Sequence, residues 1–187
     1  MASLKDVWKF LWNSDSAWSW IADFILAFLL VRFIFFPLMS LALSTPLPLV
    51  VVESGSMEHN GLPLDYWWAQ SGEFYSNLGI SEEQFKSYPL SNGFDKGDII
   101  VSRGSKNYER GDVIIFQSTA QATPIIHRVM YQNDDLTFAT KGDHNVYQLP
   151  TEKSIPKDSI FAKAWLRVPK LGWIKLFFVE LISGFKQ

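Results

Sequence analysis

Residues 49–58 read LVVVESGSME and join a short apolar run to a polar turn. The run Leu49–Val52 is mostly β-branched, which favours a strand that leads directly into the turn. A serine hydroxyl becomes a nucleophile when a neighbouring group accepts its proton, and Ser56 stands where a tight turn can present it. The same turn can direct the Ser56 backbone N–H and the Ser54 hydroxyl toward one oxyanion. We therefore consider Ser56 a candidate nucleophile and Ser54 a candidate oxyanion donor, with a plain polar turn as the alternative.

A candidate general base lies in the apolar run Pro124–Tyr131. His127 stands inside this run, and an imidazole can accept a proton near neutral pH, although a histidine in a strand can also be a structural core residue. Such a base needs an acceptor on its second ring nitrogen. We assign that role to Asp143, in the turn after the following strand. Asp98 and Asp112 are the competitors, because each of them also follows a glycine.

Two other side chains bear on the choice of base. Lys141 could serve in a Ser-Lys pair if burial lowered the pKa of its amine. His59 lies three residues after Ser56, too close in sequence for a good approach, and we interpret it as a surface residue. The chain has three histidines with no recognisable metal-ligand spacing, so no metal site is predicted.

The composition limits the class of protein. The chain has 187 residues and a formal net charge of -2, so no strong field points to nucleic acid. It contains no cysteine, which excludes disulfides, zinc-thiolate sites and a cysteine nucleophile. Its 15 Phe and 8 Trp are concentrated toward the two ends, which suggests contact with lipid.

The segment Ala17–Phe36 is apolar and long enough, as a helix, to cross a hydrocarbon core of roughly 30 Å. We expect Pro37 to end or kink this helix. Asp23 and Arg32 lie toward its two ends, where both side chains can reach the interfaces. The sequence therefore predicts a transmembrane helix.

The cations around this segment predict its orientation. Lys5 and Lys9 precede it, and the next cation after Arg32 is Lys86. Under the positive-inside rule the N-terminus stays in the cytoplasm and most of the chain lies outside the cell membrane. The rival interpretation is a cleavable signal peptide, because residues 42–44 resemble a small-x-small cleavage site. The length of the apolar stretch favours an uncleaved, single-pass anchor.

Short predicted strands follow the serine turn. They cover Asp98–Val101, Asp112–Phe116, Pro124–Tyr131, Leu136–Thr140 and Ile160–Val168. Strands of this length with turn signals between them indicate a mainly β sandwich or barrel-like fold.

Two stretches do not fit this β pattern. Residues 60–95 are predicted to be a partly helical insertion with a helix start at Ser81, and their aromatic side chains form either a small core or a membrane- or substrate-facing patch. The tail Leu171–Phe185 is apolar but short for a span, so it is expected to lie at the membrane interface or to pack on the domain.

Five short motifs occur in a fixed order behind the apolar segment. They are 51–58 (VVESGSME), 96–101 (KGDIIV), 110–116 (RGDVIIF), 125–129 (IIHRV) and 140–145 (TKGDHN). Together they resemble signal peptidase I of the archaeal and endoplasmic-reticulum type, over roughly residues 45–57 and 95–175. The resemblance places the nucleophile on Ser56, the histidine of this branch on His127 and the aspartate of the Lys-Gly-Asp box on Asp143.

The chain departs from the family pattern in three places. His59 stands where proline is usual after Met-Glu, and residues 60–95 separate the serine box from the first Gly-Asp strand. Leu149 occupies the position where a second acidic residue usually follows. Asp143 is then the remaining candidate to orient His127.

The resemblance implies a signal-peptidase-like β catalytic domain on the outer membrane face, which cleaves secretory preproteins after small residues. His127 would take the Ser56 proton, an acyl-enzyme would form, and water would release it. The signal-peptide end would add as a strand beside the run leading into Ser54 and beside Pro124–Ile126. No metal, nucleotide or other cofactor is implied. The expected partners are preproteins and the bilayer, with the translocation machinery as a further candidate and no nucleic acid.

The predicted organisation has three parts: an N-terminus and anchor over 1–44, a β-rich catalytic domain over 45–170, and the tail over 171–187. The alternative function is a catalytically inactive, membrane-tethered β module that binds peptides or a partner protein. That alternative predicts peptide binding that does not depend on Ser56 or His127.

Overall fold

The computed structural model describes residues 3–14 and 16–184, and the chain divides into two compact units, Met1–Ala42 and Leu43–Gln187. In the first unit, helix α1 spans Leu4–Asn13 and α2 spans Ala17–Leu30. The α2 helix continues through a π-helical turn, Val31–Phe35, into α3, Phe36–Leu43.

The continuous helix Ala17–Leu43 has the length and apolar composition of a membrane span, and no part of its most apolar stretch is buried. The expectation that Pro37 ends this helix is wrong, because the helix continues six residues further to Leu43. In the π-helical turn before the proline, the Phe36 N–H bonds to the Val31 carbonyl. A π-helical turn changes the hydrogen-bond pattern directly before Pro37, and such turns occur where a helix continues past a residue that lacks an N–H.

The second unit contains a six-stranded sheet in the order β1-β2-β6-β3-β4-β5, with every neighbouring pair antiparallel. The strands are β1 Leu49–Val51, β2 Ile99–Arg103, β3 Val113–Phe116, β4 Ile125–Gln132, β5 Phe138–Lys141 and β6 Ile160–Val168. All six lie close to their predicted bounds. Helices nevertheless cover more of the described chain than strands do, so "mainly β" fits the sheet and not the whole chain.

The sheet is buried on both faces around β3. Alternate side chains of a strand point to opposite faces, and Val113 and Ile115 belong to one hydrophobic cluster while Ile114 and Phe116 belong to another. The first cluster also includes Met57, the residue after the serine turn. The turn that carries the candidate nucleophile is therefore anchored in the core.

Residues 60–95 contain three short helices, α4 Leu64–Ser71, α5 Glu73–Asn77 and α6 Glu82–Lys86. Ser81 caps α6 by accepting a hydrogen bond from the Gln84 N–H at 3.2 Å, as the sequence predicted. The insertion has its own core, to which β4 contributes one fully buried side chain, Met130, and one partly buried side chain, Tyr131. The buried members of this cluster are Leu64, Trp67, Tyr75, Ile80, Phe85 and Met130. Of the two interpretations of its aromatic residues, the small core is confirmed.

After β5 the chain forms two 3₁₀ turns, Pro150–Glu152 and Lys157–Ser159, and after β6 it forms helix α7, Trp173–Gly184. Leu176 of α7 is buried, whereas most of the other α7 side chains are exposed. The tail thus contacts the unit through few side chains and turns most of its apolar surface outward. Phe185, at the predicted end of the tail, lies outside the described residues.

Candidate active site

A cleft of about 510 Å³ runs between β1 and the start of β4. β1 is the first strand in the sheet order, so one of its edges has no strand partner among the described residues. β5 pairs with β4 from Arg128 onward, so the same edge of β4 is not paired with β5 at Ile125–His127. The cleft therefore offers strand edges on two sides, which is the arrangement that binds an extended peptide.

Ser56 and His127 meet at the wall of this cleft. Both side chains line it, and the Ser56 hydroxyl lies 2.9 Å from His127 Nε2. His127 is 4% exposed, held in β4 opposite Ile114 of β3, while Ser56 is half-buried and open to the cleft. A hydroxyl that donates to an imidazole in this geometry is ready to lose its proton.

The carboxylate on the other nitrogen of His127 belongs to Glu152. His127 Nδ1–H donates to Glu152 Oε1, and the second carboxylate oxygen accepts the Leu149 N–H at 2.9 Å. Glu152 is fully buried, and its backbone carbonyl accepts a hydrogen bond from Gln148 Nε2 at 3.2 Å. Each carboxylate oxygen thus has a hydrogen-bond partner. Because the carboxylate accepts a hydrogen bond from Nδ1–H, we assign to His127 the tautomer in which Nε2 accepts from Ser56.

Sequence reasoning missed Glu152. The residue lies three positions after Leu149, where the family pattern already lacked an acid. A local signal was available, because Pro150 opens a 3₁₀ turn and Glu152 is its third residue, a position from which an acid can cap the N–H before the turn. That signal identifies a capped turn, but it does not identify the distant histidine.

Asp143, which the sequence reading placed on His127, has other partners. Its carboxylate accepts hydrogen bonds from Arg128 Nη2 at 2.7 Å, from the Tyr75 hydroxyl at 2.8 Å and from His59 Nε2 at 3.3 Å. Burial alone would raise the pKa of Asp143, but the charge of Arg128 and the hydrogen bonds from Arg128 and His59 together outweigh burial and hold that pKa well below its usual range. The assignment of Asp143 as the orienting acid is therefore corrected to Glu152.

The two competing aspartates also have structural partners. Asp98 accepts the backbone N–H groups of Asp95 and Lys170, at 2.8 and 2.9 Å. Asp112 accepts the Glu109 N–H at 2.7 Å and pairs with Lys163 at 2.6 Å. Each carboxylate closes a turn and ties it to a neighbouring segment.

Lys141 is buried between the rings of Phe74 and Tyr75, with Nζ at 4.9 and 5.0 Å from their centroids. Its Nζ donates to the Gly142 carbonyl at 3.0 Å. Burial lowers the pKa of the Lys141 amine to about 8. The side-chain nitrogen within hydrogen-bond distance of Ser56 Oγ is nevertheless His127 Nε2, at 2.9 Å. The geometry therefore favours the histidine over the lysine as the proton acceptor.

His59 is 2% exposed, so its interpretation as a surface residue is wrong. Its ring stacks on Trp67 with centroids 3.8 Å apart, and Nε2–H donates to Asp143. Stacking inside the core of the insertion explains the burial, since an aromatic neighbour covers the ring face that water would otherwise hydrate.

Two small residues shape the surroundings of Ser56. The Ser54 hydroxyl is exposed and lies 3.2 Å from Ser56 Oγ, close enough to face the same reacting atoms. A Cβ on Gly142 would lie 2.5 Å from the Ser56 carbonyl oxygen and 2.8 Å from His127 Nε2. Glycine at this position lets the backbone approach the reacting pair without blocking it.

Among the residues that the structure describes, no group of three or more His, Asp or Glu side chains is placed to hold a metal ion. No protein-family model matches the chain, and no match was found among curated proteins.

Proposed function

We propose that this chain is a membrane-anchored serine endopeptidase of the signal peptidase I type, which removes signal peptides from secretory preproteins. The observation that carries the proposal is the hydrogen-bonded series Ser56–His127–Glu152 at an open cleft, with 2.9 Å between the hydroxyl and the imidazole. A hydroxyl, an imidazole and a buried carboxylate in this order are the groups that acyl transfer by serine requires. The apolar helix Ala17–Leu43 would be the anchor.

In the proposed reaction, Ser56 Oγ attacks the scissile carbonyl carbon while His127 Nε2 takes the hydroxyl proton. Glu152 keeps Nδ1 protonated and stabilises the imidazolium that forms. The Ser54 hydroxyl and the Ser56 backbone N–H face the developing oxyanion. His127 then protonates the leaving amine, the peptide C–N bond breaks, and an acyl-Ser56 ester remains. A water molecule, deprotonated by His127, hydrolyses that ester and restores the hydroxyl.

The cleft supports an extended peptide as the substrate. A peptide lying between the free edges of β1 and the start of β4 could form backbone hydrogen bonds on both sides. Apolar side chains line the cleft near the serine. They include Val51, Ile125, Ile126 and Leu149. Such walls suit small apolar side chains, in keeping with the cleavage after small residues that the resemblance implies.

The test uses the full-length chain in liposomes with a preprotein that carries an apolar segment followed by an Ala-x-Ala site. We expect the wild type to release the mature protein with a new N-terminus directly after the small residue. Ser56→Ala should abolish release and leave the thermal unfolding curve unchanged.

The control compares His127→Ala with Lys141→Ala in the same assay. Loss of all cleavage in the histidine variant, with residual cleavage in the lysine variant, supports the Ser-His assignment. The proposal is contradicted if the wild type binds the preprotein but never cleaves it, and if Ser56→Ala binds it equally well. That result would favour the non-catalytic peptide-binding module.

A further inference from the structure

The insertion, residues 60–95, makes polar contacts with the residues that flank the catalytic pair. The Tyr75 hydroxyl donates to Asp143 at 2.8 Å, and the Phe74 and Tyr75 rings enclose the Lys141 ammonium. On the other side, Arg128 lies directly after His127 in β4. The insertion therefore contacts both the β4 segment of the base and the 141–144 segment that follows β5.

Arg128 is held by the insertion as well as by Asp143. Its Nη1 donates to the Pro89 carbonyl at 2.8 Å and its Nη2 to the Leu90 carbonyl at 3.0 Å. The Phe85 ring centroid lies 4.8 Å from the guanidinium carbon. A fully buried guanidinium needs such partners, and here the insertion supplies three of them.

The 141–144 segment in turn holds the serine turn. The His144 N–H donates to the Ser56 carbonyl at 2.9 Å, and the Asp143 N–H contacts Met57 Sδ at 3.4 Å. Gly142 lies close enough to His127 Nε2 that a methyl group could not be added there without displacement. The contacts that the insertion makes with Arg128, Lys141 and Asp143 thus end one or two residues from an atom that touches Ser56 or His127.

We propose that the insertion is a positioning element for the catalytic pair, and that Tyr75 is its principal positioning residue. This inference rests on the proposed serine endopeptidase function. By donating to Asp143, Tyr75 fixes the segment whose backbone holds the Ser56 turn. Reaction rates depend steeply on the placement of reacting groups, so looser placement of this segment slows acylation without closing the cleft.

A second tyrosine of the insertion, Tyr88, provides a control that distinguishes a positioning role of the Tyr75 hydroxyl from the packing role of a tyrosine ring. Tyr88 packs against the same aromatic cluster, but its buried hydroxyl has no hydrogen-bond partner among the described residues. The loss of this hydroxyl removes no hydrogen bond, whereas the loss of the Tyr75 hydroxyl removes a bond to a buried carboxylate. Tyr75→Phe and Tyr88→Phe are therefore matched variants that both keep the ring.

The experiment measures preprotein cleavage by the full chain in liposomes, together with labelling of Ser56 by a fluorophosphonate probe. The amplitude of labelling counts folded, competent sites, and its rate reports the reactivity of the serine. We expect Tyr75→Phe to lower kcat and the labelling rate about tenfold, with KM changed less than about twofold and the amplitude preserved. Tyr88→Phe should match the wild type in all four quantities.

Wild-type rates in Tyr75→Phe, or a lower amplitude with an unchanged labelling rate, would overturn the inference, because the tyrosine would then serve folding alone. If Tyr75→Phe does not fold, Phe74→Leu removes the other ring over Lys141, and the same fall in labelling rate is expected. Ser56→Ala is run in parallel. If it cleaves like the wild type, the proposed function fails; if it is inactive while Tyr75→Phe and Phe74→Leu are unaffected, the positioning inference alone fails.

Discussion

Asp143 and Glu152 are two buried carboxylates in the connection between β5 and β6, yet their surroundings are opposite in character. Asp143 faces a guanidinium, a phenol and an imidazole, and its charge is neutralised by Arg128. Glu152 accepts from one backbone N–H and from His127. A carboxylate already committed to a guanidinium holds the structure together, whereas one with a single imidazole partner can act on that imidazole. The partners, and not the motif position, decide the role.

The largest expected effect comes from Glu152→Gln. A neutral amide does not stabilise the imidazolium of His127, and its NH₂ group favours the wrong tautomer. We expect kcat for preprotein cleavage to fall by about 10³- to 10⁴-fold, as removal of the carboxylate does in serine triads. The folded state should persist, as judged by urea unfolding. A fall of less than tenfold would remove Glu152 from the orienting role.

Asp143→Asn should act mainly on stability. The substitution leaves the buried Arg128 guanidinium without a counter-charge, which costs about 3–5 kcal/mol in comparable cases. The free energy of unfolding, measured in urea, should fall by that amount. If stability instead changes by less than about 1 kcal/mol while kcat falls as far as in Glu152→Gln, the two carboxylates have been assigned the wrong way round.

The pH dependence of stability should also show that Asp143 has a structural role, because a group whose pKa differs between the folded and unfolded states makes stability depend on pH. The pKa of Asp143 is depressed in the folded state, so its stabilising contribution is present above its unfolded value of 3.8 and is lost as the pH falls below that value. Each pH unit below that value removes about 1.4 kcal/mol for one group, so we expect somewhat less than about 2 kcal/mol of wild-type stability to disappear between pH 5 and pH 2.5. Urea unfolding at pH 5 and at pH 2.5 should show a smaller loss in Asp143→Asn. Equal losses in the two proteins would mean that Asp143 is not paired in solution.

The smallest expected effect is at the exposed mouth of the cleft. Ser54→Ala should lower kcat about tenfold, because water can partly replace an exposed hydroxyl near the oxyanion. KM should stay within twofold of the wild type, since the hydroxyl acts on the developing charge. An unchanged kcat would leave the oxyanion to backbone donors.

Local sequence pattern predicted the sheet well. β6 coincides with its predicted range, and the other strands begin or end close to the glycines and polar turns that marked them. Of the two effects expected of Pro37, the helix end is wrong, because a π-helical turn precedes the proline and the helix continues to Leu43. No local sequence pattern predicted that turn. The signals that predict a strand, a β-branched apolar run between turn residues, are local in sequence. They remain valid when both faces of the strand are buried, because packing then favours the same apolar residues.

The candidate site could be predicted only in part. Ser56 and His127 are 71 residues apart, and their motif context identified both. The orienting acid depended on which of several carboxylates packs against one ring nitrogen, and no local pattern encodes that choice. His59 was misjudged for the same reason, because its hydrogen-bond partner Asp143 lies 84 residues further along the chain. Residue type and motif indicate candidates, while long-range packing selects among them.

Trapping the acyl-enzyme tests most directly whether Ser56 is the nucleophile that His127 activates. The full chain in liposomes is mixed with preprotein, quenched in acid within one turnover, and digested for tandem mass spectrometry. We expect an ester of the signal-peptide carboxyl end on Ser56 in the wild type, and no such ester in Ser56→Ala or in His127→Ala. Cleavage that continues at the wild-type rate in Ser56→Ala, or an ester on any other residue, would contradict this expectation.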